Sequence, residues 1–292
     1  MPKHSATPFH RRRSTQVAAA AGAVGALAAG LLLFPAGASQ PAKTTAKKAA
    51  PAAKVVLPTA NTGFDYQIGG AYTPPKGVKA VSRDRSAKPA PGLYNVCYVN
   101  AFQAQPDALG WWRKNHPDLV LKDRGGNPVN DEDWGEALLD TSTAAKRARL
   151  ATVVGGWIDG CAKSGFQAVE PDNLDSYERS GGRLTKEHNA AFATLLARRA
   201  HAAGLAIGQK NTTELLPERA RIGFDFAVAE ECGQYGECGA FASAYSNRVF
   251  VIEYEEDGYA GACDEWGGRL SVVRRDMDVA ARGGDGYVFR AC

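Results

Sequence analysis

Short apolar runs alternate with amphipathic stretches over most of the chain after residue 57. The runs have the length of buried strands, and most of them end in polar residues. The pattern predicts eight strands and one further candidate, at Phe64–Ile68, Val78–Val81, Leu93–Val99, Phe166–Val169, Leu205–Ile207, Phe224–Val228, Val249–Ile252, Leu270–Val273 and, as the further candidate, Tyr287–Phe289.

Two longer segments between these runs have the three-to-four spacing of a helix. Apolar residues recur at that spacing over Thr143–Ser164, where they predict that Trp157 lies in the core. Thr185 is placed as the N-cap of the next helix, whose apolar stripe covers Ala190–Ala203 before Gly204 ends it. Strand, helix and strand at this interval predict parallel pairing through right-handed crossovers.

The number and order of these elements favour one fold class. About 235 residues follow residue 57, and a single α/β barrel typically needs ~250. We therefore expect an α/β fold, a (β/α)8 TIM-type barrel, as a single catalytic domain over residues 58–292. A doubly wound parallel sheet is the alternative, but no G-x-G-x-x-G motif follows any predicted strand.

The first 57 residues have a different composition. A basic start with the run Arg11–Arg13 precedes an apolar segment at about residues 17–34, and small residues follow it. Residues 1–38 are therefore interpreted as a secretory signal peptide, and residues 39–57, rich in Ala, Lys and Pro, as a disordered linker. Cleavage would leave a secreted, extracellular protein with no stable membrane partner. Because the apolar segment is almost long enough to cross a membrane, an uncleaved anchor is the alternative.

Charge separates the same two parts of the chain. The whole chain carries a net charge of +4. Residues 1–57 hold eight of the 35 Lys and Arg and none of the 31 Asp and Glu, so the remainder has 27 basic and 31 acidic side chains, a net charge of −4. This mildly acidic domain argues against nucleic acid as a partner.

All six cysteines lie in the acidic part of the chain. An even number behind an export signal predicts disulfides, and proximity suggests only the Cys232–Cys238 pair. A zinc site is disfavoured because no C-x-x-C motif occurs and the three histidines of this part, His116, His188 and His201, are isolated. We expect no metal and no cofactor.

Polar and ionisable side chains gather where the predicted strands end. Those after the fourth strand are Glu170, Asp172, Asn173 and Asp175, and those after its neighbours include Asn100, Gln103, Gln209, Lys210, Asn211, Glu230, Glu231, Glu253, Tyr254, Arg274 and Arg275. In a barrel, the carboxyl ends of the strands carry the active site. We therefore expect the carboxylates to line one shared cleft.

Two carboxylates that face each other across a cleft suit the cleavage of a glycosidic bond. One protonates the leaving oxygen, while the other attacks the anomeric carbon or activates water. Asp172 and Glu230 are the candidates for this pair. Asp172 could instead be a turn or helix-cap residue, and Glu230 could be held by the Cys232–Cys238 loop. Glu170 and Asp175 fit binding or supporting roles better.

Other polar and aromatic candidates have two explanations each. Glu253 could line the cleft or form an ion pair with Arg274 or Arg275. Aromatic rings in or beside predicted loops could stack on sugars or pack in the core, namely Tyr72, Trp111, Trp112, Trp134, Tyr177, Tyr235 and Tyr254. Other catalysts are disfavoured because no G-x-S-x-G, Walker or H-E-x-x-H motif occurs.

A series of sequence blocks resembles a known family. The blocks are GLYNVCYVNAFQAQPD, GEALLDTST, VEPDNLDSY, IGQKN, AEECGQYGEC and VFVIEY, in that order. They resemble the endo-α-1,4-polygalactosaminidase family, glycoside hydrolase family 114, over nearly all of residues 60–292. The resemblance implies a (β/α)8-type barrel that hydrolyses α-1,4 linkages in galactosamine-containing polysaccharide. Ala229 stands where the family has an Asn, so a contact made by that Asn is in doubt.

The resemblance also implies roles for individual residues. The catalytic carboxylates of the family fall at Asp172 and Glu230, and we favour Glu230 as the proton donor and Asp172 as the nucleophile or base. A separation of roughly 5–5.5 Å between them would indicate retention of configuration, and about 6.5–9.5 Å inversion. The predicted substrate-binding residues are Glu170, Asn173, Asp175, Tyr177, Lys210, Asn211, Glu231, Tyr235, Glu253 and Tyr254.

An acidic rim would attract a deacetylated galactosamine polymer, which is a polycation. We therefore expect a secreted, monomeric glycosidase that acts on a cationic, galactosamine-rich polysaccharide. The alternatives are a glycosidase for a different polysaccharide, a non-catalytic carbohydrate-binding or cell-wall-associated protein on a degenerate barrel, and a metal-dependent hydrolase that uses the acidic cluster. The presence of both carboxylates argues against a binding protein, which would not need them.

Overall fold

A computed structural model describes residues 54–292 of the protein. The predicted signal peptide and residues 39–53 of the predicted linker lie outside the described residues. The last linker residues contact the barrel, since Val55 packs against its interior cluster and the carbonyl of Val56 accepts a hydrogen bond from Tyr94 Oη at 2.7 Å. Within residues 54–292, no helix combines the length and the apolar character needed to cross a membrane.

Twelve strands and six α-helices form in this part of the chain. The strands are β1 (Phe64–Gln67), β2 (Ala80–Asp84), β3 (Tyr94–Asn100), β4 (Gln103–Ala104), β5 (Asn130–Asp131), β6 (Glu136–Leu138), β7 (Ala168–Asp172), β8 (Ala206–Lys210), β9 (Phe226–Glu230), β10 (Val249–Glu253), β11 (Ser271–Arg275) and β12 (Phe289–Ala291). The helices are α1 (Leu109–Asn115), α2 (Ala144–Ser164), α3 (Lys186–Ala202), α4 (Arg219–Ile222), α5 (Cys238–Tyr245) and α6 (Glu256–Trp266).

Eight parallel strands form a nearly closed barrel, in the order β1-β2-β3-β7-β8-β9-β10-β11. Strand β12 pairs antiparallel with the outer edge of β11. Side chains join β1 to β11, because Ser271 Oγ accepts a hydrogen bond from the backbone N–H of Thr62 at 3.0 Å and Arg275 forms an ion pair with Asp65 at 3.3 Å. The predicted parallel barrel and all its predicted strands are confirmed.

The crossovers differ along the chain. Residues 68–79 and 85–93, which join the first three barrel strands, form loops without a helix. Both segments are rich in glycine and proline, which disfavour a helix. Between β3 and α2 the chain forms the small antiparallel sheet β4-β6-β5. The barrel is therefore TIM-like but lacks helices in its first two crossovers.

The two predicted helices begin and end as the sequence indicates. Thr143 caps α2 by accepting a hydrogen bond from the backbone N–H of Lys146, and the helix ends at Gly165, which has a φ of 94°. Thr185 caps α3 in the same way. Trp157 is only partly buried rather than a core residue, because one face packs on the core while the Arg85 guanidinium stacks 4.5 Å from its ring.

Alternation along the strands decides which side chains point into the barrel. The interior cluster contains Phe64, Ala168, Ala206, Phe226 and Phe250. The intervening residues face outward and pack beneath the helices, among them Cys97, Val169, Ile207, Ala227 and Val251. Because side chains repeat every two residues along a strand, even-numbered positions of β7 to β10 face the interior up to the carboxyl ends of these strands.

Three disulfides join elements of the domain. The predicted Cys232–Cys238 bond is confirmed and closes a short loop between β9 and α5. Cys97–Cys161 ties β3 to α2, and Cys263–Cys292 ties α6 to the residue that follows β12.

Candidate active site

The ammonium group of Lys210 lies at the floor of the barrel mouth, buried between three carboxylates. Its Nζ is 3.1 Å from Glu170 Oε1, and 3.4 Å from both Asp172 Oδ1 and Glu230 Oε2. These groups come together because β7, β8 and β9 are adjacent and each ends at this level. Burial lowers the pKa of Lys210, but the three carboxylates outweigh burial and raise it well above its ordinary value.

Asp172, the last residue of β7, is held as an ionised carboxylate. Tyr98 Oη donates to Oδ2 at 2.8 Å, and the backbone N–H of Asn173 donates to Oδ1 at 2.8 Å. Burial raises the pKa of Asp172, but the charge of Lys210 and these hydrogen bonds outweigh it, so that the pKa lies below its ordinary value. The side chain is 18% exposed, which leaves it accessible from the mouth.

Glu230, the last residue of β9, faces Asp172 across the Lys210 ammonium. Tyr254 Oη donates to Oε1 at 2.5 Å, and Asn211 Nδ2 donates to Oε2 at 3.0 Å. The Asn211 side chain also accepts the backbone N–H of Glu230 at 2.8 Å, which fixes the end of the strand. The side chain of Glu230 is 23% exposed. Since both carboxylates contact one ammonium group at 3.4 Å, their nearest oxygens lie within twice that distance of each other.

The backbone turns sharply directly after each of these three strands. Asn173, Asn211 and Glu231 have φ values of 69°, 47° and 57°. Asn tolerates this left-handed conformation, whereas a Glu there costs about 1–2 kcal/mol. Each turn therefore ends its strand directly after the residue that lies at the barrel mouth, namely Asp172, Lys210 or Glu230.

Glu170 lies beneath the accessible pair and is completely buried. It accepts hydrogen bonds from Ser82 Oγ at 2.6 Å and Tyr66 Oη at 2.9 Å, in addition to its ion pair with Lys210. Glu170 was predicted to have a binding or supporting role. The structure places it at the floor of the mouth, where it contacts Lys210 and is not exposed to the cleft. Ser82, Tyr66 and Tyr98 were not among the candidates. Tyr66 and Tyr98 lie inside predicted strands and Ser82 directly follows one, although alternation places all three inward.

Glu253 faces out of the barrel and does not join this cluster. It is completely buried and accepts the backbone N–H groups of Gly233 at 2.7 Å and Gln234 at 3.4 Å. Burial outweighs these hydrogen bonds and raises its pKa to about 7. The alternative that Glu253 forms an ion pair with Arg274 or Arg275 is wrong, because these cations pair with Glu256 and Asp65.

Two predicted binding residues of the β7 loop are engaged by other parts of the protein. Asp175 pairs with Arg179 at 2.7 Å, and Arg179 also pairs with Asp131 at 2.8 Å. Tyr177 packs against an apolar cluster beside this loop. On the opposite side, Glu231 is half-buried beside Glu230, and burial and that neighbouring charge raise its pKa.

A third carboxylate near Asp172 comes from outside the barrel strands. Glu136, at the start of β6, accepts hydrogen bonds through Oε2 from Asn100 Nδ2 at 2.8 Å and Asn173 Nδ2 at 3.5 Å. Burial and, after it, the charge of Asp172 raise the pKa of Glu136, although the Asn100 hydrogen bond lowers it. Glu136 was not among the candidates because its hairpin does not follow a barrel strand directly.

The aromatic candidates fall into four groups. Trp134 is 59% exposed at the turn between β5 and β6, and Trp111 and Tyr235 are also exposed. Trp112 is only 1% exposed and is a core residue, so its candidacy as a sugar-stacking platform is wrong. Tyr254 donates a hydrogen bond to Glu230. The remaining candidates, Tyr72 and Tyr177, are partly buried.

Metal-ligating groups converge at one place in residues 54–292, namely Cys232, Cys238 and Glu253. Both cysteines there form a disulfide, so they offer no thiolate to a metal.

The comparison with known families agrees with this geometry. A sequence profile of glycoside-hydrolase family GH114 matches residues 44–292. The chain belongs to family GH114. It is therefore a glycoside hydrolase, and the paired carboxylates at the carboxyl ends of its barrel strands are its candidate active site. Among curated proteins, no sequence relative matches the GH114 chain.

Two solved structures are similar to this GH114 chain over most of its length. Ega3 from Aspergillus fumigatus, in complex with galactosamine, has a TM-score of 0.66 and 23% identity, covering 82% of this chain and 98% of that one. The glycoside hydrolase domain of PelA from Pseudomonas aeruginosa has a TM-score of 0.55 and 17% identity, covering 76% and 97%. These similarities confirm the barrel fold.

Proposed function

We propose that this GH114 enzyme hydrolyses α-1,4 linkages in galactosamine-containing polysaccharide, with Asp172 and Glu230 as its catalytic pair. The observation that carries the proposal is the arrangement of two partly exposed carboxylates around one buried ammonium group at the barrel mouth. The galactosamine bound to the structurally similar Ega3 supports the choice of sugar.

The environment of Asp172 supports the role of nucleophile, and Glu230 is the proton donor in our proposal. Asp172 has a lowered pKa and is ionised, so it suits the nucleophile. A carboxylate oxygen of Asp172 attacks the anomeric carbon while the bond from that carbon to the glycosidic oxygen breaks. Glu230 donates a proton to the departing glycosidic oxygen. Water then attacks the same carbon, returns a proton to Glu230 and releases Asp172. The shared contact with Lys210 favours the short separation of about 5–5.5 Å that this double displacement needs.

The neighbouring residues support the pair. Lys210 keeps Asp172 ionised and fixes the spacing of the two carboxylates. Asn211 and Tyr254 orient Glu230 through their hydrogen bonds to its carboxylate. Among the predicted substrate contacts, Tyr235 is exposed, and Asn173 and Glu231 are half-buried beside the catalytic pair.

The three disulfides support an extracellular location, because such bonds persist in oxidising compartments. Together with the predicted signal peptide, they favour a secreted enzyme.

The test is the release of reducing ends from partly deacetylated galactosaminogalactan. Wild-type protein should release them, while Asp172→Asn and Glu230→Gln should each lower the rate by about 10³-fold or more, because each removes a group that acts in the bond-breaking step. Proton NMR of the first product should show the α-anomer if configuration is retained.

Three results would contradict the proposal. Turnover by Asp172→Asn at the wild-type rate would exclude Asp172 from the chemistry. Polymer retention without release by folded wild-type protein would indicate a binding protein. Loss of activity with a chelator would favour a metal-dependent hydrolase.

A further inference from the structure

We propose that Glu136 binds the 2-ammonium group of the galactosamine unit whose anomeric carbon is attacked by Asp172. The inference rests on the proposed function of Asp172 and adds the residue that binds the positive charge of the sugar. It makes the antiparallel insertion between β3 and α2 part of the substrate site.

The position of Glu136 is fixed by the residues that surround the nucleophile. Asn100 lies at the end of β3, directly opposite Asp172 in the register of β3 and β7. It donates to Glu136 Oε2 at 2.8 Å and, through Oδ1, accepts a hydrogen bond from Asn173 Nδ2 at 3.0 Å. Glu136 is therefore joined to the end of β7 by two amide side chains, on the side of Asp172.

One oxygen of Glu136 is free to bind a ligand. All hydrogen bonds that the described residues give this carboxylate go to Oε2, which leaves Oε1 without a protein donor. Within residues 54–292, no Lys, Arg or His forms an ion pair with Glu136. The charge of Arg179 acts on Glu136 and lowers its pKa, but the ion pairs of Arg179 are with Asp131 and Asp175.

An unpaired, half-buried carboxylate beside Asp172 is electrostatically unfavourable. Burial and repulsion from Asp172 and Asp131 raise the pKa of Glu136, whereas a cation placed beside it would favour the charged form. An ammonium group on the ligand supplies such a cation. Binding would thus relieve a repulsion that is already present in the free protein, which adds to affinity.

Lys210 decides on which side of Asp172 the ligand ammonium can lie. Its Nζ is 3.4 Å from Asp172 Oδ1 on the inner side, towards Glu230, and would repel a second cation there. In galactosamine, the carbon that bears the amine is bonded to the anomeric carbon, so the ammonium must lie close to the nucleophile. The outer side of Asp172, where Glu136 lies, is the place that meets both conditions.

The other carboxylates of the mouth are less suited to this role. Glu170 is buried and paired with Lys210, and Asp175 is paired with Arg179. Glu231 lies beside Glu230, on the side of the leaving group. The structure therefore assigns selection for a deacetylated unit at the cleaved position to Glu136.

The experiment measures binding by calorimetry in the full chain carrying Glu230→Gln, so that the ligand is not cleaved. Galactosamine tetramer and N-acetylgalactosamine tetramer are compared in this background, and in the same background with Glu136→Gln or Glu132→Gln. Glu132→Gln is the matched control, because it removes the same charge from an exposed position of the same hairpin. Glutamine at position 136 retains an oxygen that can accept the Asn100 hydrogen bond.

Glu136→Gln should weaken binding of the galactosamine tetramer by about tenfold, the usual worth of a charge-assisted hydrogen bond, and should weaken the acetylated tetramer much less. Glu132→Gln should change neither affinity. Equal losses for both tetramers, or no loss for galactosamine, would overturn the inference. Reducing-end release by the enzyme with an intact Glu230 is measured separately, so a failure of the proposed hydrolysis is distinguishable from a failure of ammonium recognition.

Discussion

Glu170 and Glu253 are both completely buried carboxylates near the carboxyl ends of barrel strands, yet their surroundings differ. Glu170 points into the barrel, where it meets an ammonium group and two hydroxyl groups. Glu253 points out of the barrel, where it accepts hydrogen bonds from two backbone N–H groups. A shift of one residue along a strand turns a side chain from the barrel interior to the outside of the barrel.

The difference shows two ways in which a protein accommodates a buried acid. Burial raises the pKa of Glu170, and the charge of Lys210 and the two hydroxyl hydrogen bonds act against that rise. The same ammonium group contacts the two accessible carboxylates above it. At Glu253, burial raises the pKa to about 7 and no cation within residues 54–292 forms an ion pair with it, so it titrates near neutral pH. The inward region, around Glu170, therefore contains a permanently charged ammonium group. The outward region, around Glu253, contains a carboxyl group that gains or loses a proton near neutral pH.

Removing the cation should have the largest effect. Lys210→Met leaves Glu170 buried without its partner and removes the charge that keeps Asp172 ionised. We expect the turnover rate to fall by about 10³-fold and the free energy of unfolding by roughly 3–5 kcal/mol. Denaturant unfolding and reducing-end release measure the two effects.

The double variant Lys210→Met/Glu170→Gln separates these contributions. It removes the unpaired charge as well, so most of the lost unfolding free energy should return, while the activity should not. If Lys210→Met alone unfolds like the wild type, Glu170 does not carry a charge that needs compensation.

Replacing the outward acid should change how stability depends on pH. The folded pKa of Glu253 is about 7, above its ordinary value of 4.5. Its contribution to stability is therefore fully present below pH 4.5 and is lost as the pH rises through 7. That loss is on the order of 3 kcal/mol, and it should be absent in Glu253→Gln. The measurement is the free energy of unfolding at several pH values between 4.5 and 8.5.

Glu255→Gln is the control for this effect. It removes the same charge from an exposed position two residues further along, and it should follow the pH dependence of the wild type. A wild-type curve that matches Glu253→Gln throughout would contradict a raised pKa for Glu253.

The smallest expected effect concerns a hydrogen bond that adjusts the pKa of Asp172. Tyr98→Phe removes the hydrogen bond to Asp172 Oδ2, which helps to lower the pKa of that carboxyl. The acidic limb of kcat/KM should therefore move to higher pH, by less than about one unit. Tyr94→Phe, at the other end of the same strand, should leave the limb in place. A shift to lower pH in Tyr98→Phe would contradict the assigned role.

The barrel strands, the extent of α2, the N-cap of α3 and the Cys232–Cys238 bond could be predicted because they depend on local pattern. The convergence of Asp172, Lys210 and Glu230 could also be predicted, since adjacent parallel strands bring their carboxyl ends together. The closeness of these residues follows from topology and needs no knowledge of side-chain geometry.

The direction of each side chain was harder to predict. Alternation from Phe250 and Ile252 places Glu253 outside the barrel, but its position at a strand end suggested the cleft. Trp112 looked like a loop residue and is buried. Glu136 reaches the site from an inserted hairpin, and no local pattern in the sequence specifies where an insertion folds back.

The contacts of Lys210 also bear on the order of events during folding. Its Nζ donates to Tyr66 Oη, 144 positions earlier in the sequence, and pairs with carboxylates on two flanking strands. Such distant partners meet only after large loops have closed, which is slow relative to helix formation. Until the first strand docks, the ammonium group lacks its contact with Tyr66 Oη. During refolding with intact disulfides, recovery of enzymatic activity should therefore mark the final assembly of the barrel, after the far-ultraviolet dichroism of the helices has returned.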